Sequence, residues 1–205
     1  MKNILVPTDF SGNATHAIRF ALELSRKQKS KITLFHSFVL PVYATDIPVF
    51  PQADEELRKV SEEALSNLVS KLKAENPGVD IDSFVSQGYA EDEIVDAAKS
   101  SGADMIVMGT QGASGLREAL VGTITASVMD HAECPVMAVP EGASFTSFDK
   151  IVYATSYAEG DFQHVEEIID FARLFNAEVI LLHISSGTVD TSYEFESIER
   201  FKERI

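Results

Sequence analysis

The sequence predicts an α/β protein whose first domain is built on a doubly wound parallel sheet. Three observations carry that prediction. Short apolar runs alternate with segments of helical periodicity over the first 140 or so residues, and strands separated by helices pair in parallel through right-handed crossovers. A glycine-rich stretch, GTQGASGLREALVGT at residues 109–123, follows directly on one of the apolar runs. Apolar residues make up 45% of the chain, enough for a core, and no run approaches the ~20 residues that a membrane helix needs.

Each element follows from its own residues. Residues 2–7 contain a compact apolar run, the mark of a buried strand. Residues 13–27 set Ala14, Ala17, Ile18, Ala21 and Leu22 on one helical face. Residues 31–36 form a second strand. Residues 53–75 form a long charged helix with Leu57, Val60, Ala64, Leu68 and Leu72 inward, stopped by Asn76-Pro77-Gly78. Residues 79–86 alternate as a strand, 91–100 form a short helix, and 104–108 end in the apolar MIVM strand. A helix over 123–131 and a strand over 135–139 complete the domain.

The remainder repeats the beginning. FDKIVYATSYAEGDFQHVEEIIDFARLFNAEVILLHIS at residues 148–185 follows MKNILVPTDFSGNATHAIRFALELSRKQKSKITLFHS, with Ile4 matching Ile151, Thr8 matching Thr155 and His36 matching His183. A helix-like stretch at 193–204 follows, and nothing corresponds to the later strands or the glycine stretch. The expected division is a complete domain at 1–145 and a partial, degenerate second copy at 146–205. A half-domain leaves an unpaired sheet edge, so the second copy is expected to be part of a longer tandem protein or to borrow strands from a partner. The first alternative is favoured.

Charge and cysteine content narrow the function. The net charge of -15 and pI near 4.6 repel phosphate backbones, so nucleic acid is not an expected partner. A phosphate-bearing ligand would need backbone N–H groups or a bound cation. The lone Cys134 excludes an internal disulfide and points to the cytoplasm; as a residue it reads as a small buried hydrophobe. The N-terminus, MKNILVPTDFSGN, has no signal-peptide pattern.

The glycine stretch is the candidate site. It starts at the carboxyl end of a strand, where ligands of open α/β sheets bind. Glycine there allows positive φ and a close ligand approach. Thr123 is expected as the N-cap of the following helix, whose free N–H groups and partial positive charge suit phosphate. Gly122 leaves the space before it open, and Thr123 and Thr125 supply hydroxyl donors. No Walker P-loop and no GxGxxG after the first strand are present. The spacing is G-x2-G-x9-G-T, read at Gly109, Gly112, Gly122 and Thr123.

With that motif the chain resembles the universal stress protein family, in its tandem-repeat form and ATP-binding branch. The resemblance rests on ILVPTDFS at residues 4–11, LFHS at 34–37, MGTQG at 108–112, VGT at 121–123 and CPVMAVP at 134–140. It implies a flavodoxin-like sheet of order 3-2-1-4-5 and an adenine nucleotide (ATP, AMP or ADP) in the cleft, accompanied by Mg2+. It assigns Pro7, Thr8 and Asp9 to the adenosine border and Ser37 to adenine. Met108, Gly109, Thr110, Gln111, Gly112 and Gly115 fall to ribose and phosphates; Gly122, Thr123, Ile124 and Thr125 fall to the phosphate-binding helix start. Gln111 stands where binders often carry His, and Gly115 leaves its loop without a side chain. Asp9 is also the candidate metal ligand, with a turn residue or cap as its structural alternative. The last strand, Pro135-Val136-Met137-Ala138-Val139, is implied as the contact of a homodimer. In the second copy Ala154 and Ser156 replace Pro7 and Asp9, so no nucleotide site is expected there.

His36 and His183, at equivalent strand ends, read as structural hydrogen-bonding residues. His16 and His131 have no nucleophile nearby at a telling spacing, so a triad is not supported, and no His/Cys cluster suggests zinc. The apolar segment 39–51 reads equally as a lid or contact surface and as a cover for the long helix. Three function classes compete: a nucleotide-binding regulatory module with at most slow ATP hydrolysis, a scaffold of the same fold without nucleotide, and an adenine-nucleotide alpha-hydrolase. The last typically carries a Ser-Gly-Gly loop where PTDFSGN stands here, and ranks lowest.

Overall fold

The computed structural model describes residues 1–39, 51–110, 121–158, 161–184, 196 and 198–199. The chain divides into two units, Met1–Phe145 and Thr146–Ile205. In the first, β1 (Asn3–Pro7), α1 (Gly12–Gln28), β2 (Lys31–Phe38), α2 (Pro51–Glu75), β3 (Ile81–Gln87), α3 (Ala90–Ser101), β4 (Met105–Gly109), α4 (Thr123–His131) and β5 (Val136–Val139) alternate strand and helix. The strands are parallel and ordered β3-β2-β1-β4-β5, the flavodoxin-like order.

The order follows from burial. β1 and β4 are the most apolar runs, and Ile4, Leu5, Ile106 and Val107 are fully buried at the sheet centre. Leu5, Phe35 and Ile106 pack with Met108, with Ile94, Ala97 and Ala98 of α3, and with Val128 of α4. α1 contributes Ala14, Ala17, Ile18, Ala21 and Leu22, the face its spacing predicts, and adds Leu24 and Ser25. Ser11 caps it by accepting the Ala14 amide. Lys29 in the left-handed region ends it, as Gly102 ends α3.

α2 departs from its predicted face. Its buried residues are Ser61, Leu65, Val69 and Leu72, while Val60 is 61% exposed. Successive helical residues are turned by about 100°, so a face centred on 61, 65 and 72 carries Val60 towards solvent. β2 runs on to Phe38 because Ser37 and Phe38 pair with Ser86 and Gln87. β3 starts at Ile81, after a turn closed by the Val79 amide on the Asn76 carbonyl.

The second unit holds β6 (Lys150–Ala154), α5 (Asp161–Arg173) and β7 (Glu178–Leu182), with β6 and β7 parallel. Its register copies that of β1 and β2. Asn3 faces Lys31 and Pro7 faces Phe35; Lys150 faces Glu178 and Ala154 faces Leu182, each 147 residues later. Val152 and Leu182, which match the buried Leu5 and Phe35, are 57% and 45% exposed. The helix expected at 193–204 and most of segment 39–51 lie outside the described residues.

The start of β1 is tied to the start of β4 by Asp104, whose Oδ2 accepts the amides of Lys2 and Asn3. Those bonds, the Lys2 amide first, hold its carboxyl below the usual carboxylate range. A depressed folded-state pKa contributes stability that is complete above the unfolded value and lost as pH falls through the folded one. Asp104→Ala should therefore lower stability at neutral pH and flatten the acid limb of a urea-denaturation series run from pH 7 to 3. An unchanged slope on that limb would show that the bonds contribute nothing.

Candidate functional site

The carboxyl ends of β1, β2 and β4 surround a cleft of about 560 Å³ of empty space, open mouth included. It sits between β1 and β4, where the winding of the sheet reverses, the ligand position of open α/β sheets. Of the predicted site residues, Pro7, Thr8, Asp9, Ser37, Met108, Gly109 and Ile124 line it. Ala14, Phe35, His36, Ala90 and Ile94 line it too. Ala14 carries a sequence signal only as a core residue. Ala90 and Ile94 are one helical turn apart on α3, and only the packing of that helix brings them to the cleft.

The cleft is built from strand-end hydrogen bonds. The Thr8 amide donates to the Phe35 carbonyl at 2.8 Å, and Nδ1 of His36 lies 2.8 Å from the Thr8 carbonyl. His36 is thus a structural tie between the ends of β1 and β2. His183 repeats it, with Nδ1 2.9 Å from the Thr155 carbonyl. Asp9 is exposed, and its Oδ1 accepts the Ser11 amide at 3.0 Å, so it shapes the turn before α1. Asp9 is the only formally charged side chain among the described lining residues.

The glycine motif separates into different tasks. Gly109 ends β4 with ordinary φ, and a Cβ there would sit 3.2 Å from the Asn13 carbonyl oxygen. Its small size lets the first turn of α1 approach the strand end, and positive φ does not require it. Gly122, and not Thr123, is the N-cap of α4, with extended backbone and no side-chain cap. Thr123 and Ile124 are exposed in the first turn. Thr125 also departs from the expectation of a hydroxyl offered to phosphate. It is 3% exposed and donates to the Gly109 carbonyl at 2.9 Å, fastening α4 to β4. The Gly122 amide donates to the Thr110 carbonyl at 2.5 Å, which closes the neck of the segment between them. Gln111, Gly112 and Gly115 lie outside the described residues.

Cys134 is half-buried and packs against the core, and burial raises its thiol pKa. His131 bonds the Ser127 carbonyl, and His16 accepts the Gly142 amide at 3.0 Å. No metal-binding group of three or more His, Cys, Asp or Glu occurs among the described residues. No helix among them is long and apolar enough to cross a membrane.

Sheet order and cleft together define a flavodoxin-like α/β protein with a cleft at the topological switch point. Residues 1–140 match the universal stress protein family. The chain is 32% identical over 147 residues to a universal stress protein of Methanocaldococcus jannaschii, covering 67% of this chain and 81% of that one. The chain belongs to the universal stress protein family. Its fold is also that of a universal stress protein from Archaeoglobus fulgidus, at 21% identity and TM-score 0.71, over 97% of this chain and 71% of that one. A further universal stress protein, solved in complex with cAMP, has the same fold at 20% identity and TM-score 0.51, over 67% of this chain and 96% of the other.

Gly109→Ala should destabilise the first unit by about 1–3 kcal/mol, the usual cost of overpacking, because the contact it makes is with backbone. Urea denaturation measures this. Wild-type stability in the variant would mean that the approach of Asn13 is not tight.

Proposed function

We propose that the first unit is an adenine-nucleotide-binding regulatory module of a cytoplasmic stress-response protein. ATP is the expected ligand, with AMP and ADP as lesser ones. The observation that carries the reading is the cleft at the switch point, bordered by β1, β2 and β4 and by Ile124 in the first turn of α4, whose N-cap Gly122 has no side chain to cap it. Its apolar lining of Phe35, Ile94, Met108 and Ile124 suits a purine. The first-turn amides of α4 suit phosphate, which a chain of net charge -15 must hold through backbone and hydroxyl groups. Thr123 and Gly122 stand at that end, and Gly109 and Gly112 complete the spacing in sequence. Mg2+ would ride on the phosphates, with Asp9 as its protein neighbour. The cAMP complex within the family supports an adenine nucleotide in this fold.

The second unit is read as a partial, degenerate copy without a nucleotide site, in keeping with the shared register and the loss of Pro7 and Asp9. Among the described residues β5 pairs only with β4 and forms the sheet edge, and Val136, Met137 and Ala138 are half-buried. A homodimer through that edge covers it.

Calorimetric titration of the full chain with ATP, in the presence and absence of Mg2+, tests the reading. Wild type should bind, and Gly112→Val should weaken binding by on the order of tenfold or more. Equal affinity in the variant would move the site elsewhere, and no heat or co-purified nucleotide would favour a scaffold of the same fold. Sedimentation should give a dimer that Met137→Lys dissociates; a wild-type monomer at tens of micromolar would refute the edge contact.

A further inference from the structure

The two units carry the same strand-end turn with one carboxylate moved. Residues correspond 147 positions apart, as the paired registers fix, so Thr8 matches Thr155 and Ser11 matches Ala158. In both turns the threonine Oγ1 accepts the amide two residues on, from Phe10 at 3.0 Å and from Tyr157 at 2.9 Å. Phe10 and Tyr157 both take left-handed backbone, with φ of 61° and 58°, and both stack on the matching histidine. Among the differences, two concern the carboxylate. Asp9 is replaced by Ser156, and Ala14 is replaced by Asp161.

In the first unit the carboxylate belongs to the turn. Asp9 accepts the Ser11 amide, and Ala14, 7% exposed, lines the cleft. In the second it belongs to the helix. Oδ2 of Asp161 accepts the Thr155 hydroxyl at 2.7 Å, the Ser156 amide at 3.0 Å, the Ala158 amide at 3.2 Å and the Ser156 hydroxyl at 3.3 Å. These bonds, the Thr155 hydroxyl first, hold its carboxyl below the usual range. The acceptor that gathers the donors of this turn therefore stands at the position where the first unit has only a methyl group and open cleft.

We infer that the residue at the Ala14 position decides whether the strand-end cleft is open. Alanine leaves the first unit's cleft free for a ligand with anionic or hydrogen-bond-accepting groups, and Asp161 closes the matching position of the second unit with the chain's own carboxylate. The inference rests on reading the first cleft as a nucleotide site. A carboxylate at position 14 would take the turn's donors and repel a phosphate by like charge. The second unit, whose described residues include no counterpart of β4 or α4, lacks an open position here as well.

The test uses the full 205-residue chain as wild type, Ala14→Asp and the double variant Asp9→Ser/Ala14→Asp, which transplants the second unit's own pair. ATP affinity is read by calorimetry, folding by circular dichroism, and carboxyl titration by NMR. Wild type should bind, and both aspartate variants should fold and bind on the order of thirtyfold more weakly. A folded Ala14→Asp chain with wild-type affinity overturns the inference and leaves the nucleotide reading intact. A wild type that binds no ATP defeats the nucleotide reading. The introduced carboxyl then decides the inference: titration below the ordinary carboxylate range, as for Asp161, supports it, and ordinary titration overturns it. If neither aspartate variant folds the inference also fails, because a turn that accepts the carboxylate in one unit should accept it in the other.

Discussion

The tie between the ends of β1 and β2 governs the rest of the first unit. When the Thr8 amide bonds the Phe35 carbonyl and His36 bonds the Thr8 carbonyl, the chain leaving β1 is held over β2. That fixes where the turn begins and where Ser11 caps α1. The tie has a cost, since Phe10 in left-handed backbone carries about 1–2 kcal/mol of strain. Contact between its ring and His36, with centroids 4.6 Å apart, and the bond of its amide to Thr8 Oγ1 offset it. The same set recurs at Thr155, Tyr157 and His183 in a unit of quite different composition. Its persistence marks it as a requirement of the strand-turn-helix geometry.

Much of the fold was legible because its signals are local. Alternation of strand and helix, the α1 face, and the Asn76-Pro77-Gly78 stop are each readable within a short window, and the structure places them within a residue or two. Internal similarity identified the repeat, and a common strand register underlies it. The misreading of Val60 came from a long amphipathic helix whose apolar residues fit more than one phase; the choice is made by β2 and β3, against which α2 lies.

The candidate site was legible in its position and less so in its mechanics. A glycine after a strand reads as room for a ligand, yet at Gly109 the close neighbour is the backbone of Asn13, a contact between residues far apart in sequence. A threonine at a helix start reads as a cap or a donor to ligand, yet Thr125 spends its proton on Gly109. The wall formed by Ala90 and Ile94 comes from a third helix, and no spacing around the motif announces it. Sequence pointed to the cleft because strand ends are where such sheets bind; the contacts its residues make depend on which helix lies against which strand.

The closed neck at Thr110 and Gly122 has a consequence for how the family can vary. Once the two ends of a loop are bonded, adding residues between them costs only the entropy of a larger ring, about 0.6 kcal/mol for each doubling of length. The neck itself is anchored on both sides, through the Thr110 amide on the Val139 carbonyl and the Thr125 hydroxyl on Gly109. Bonds among described residues thus set how β4, β5 and α4 meet. Changes in the number of residues between Thr110 and Gly122 are therefore cheap for as long as those bonds persist.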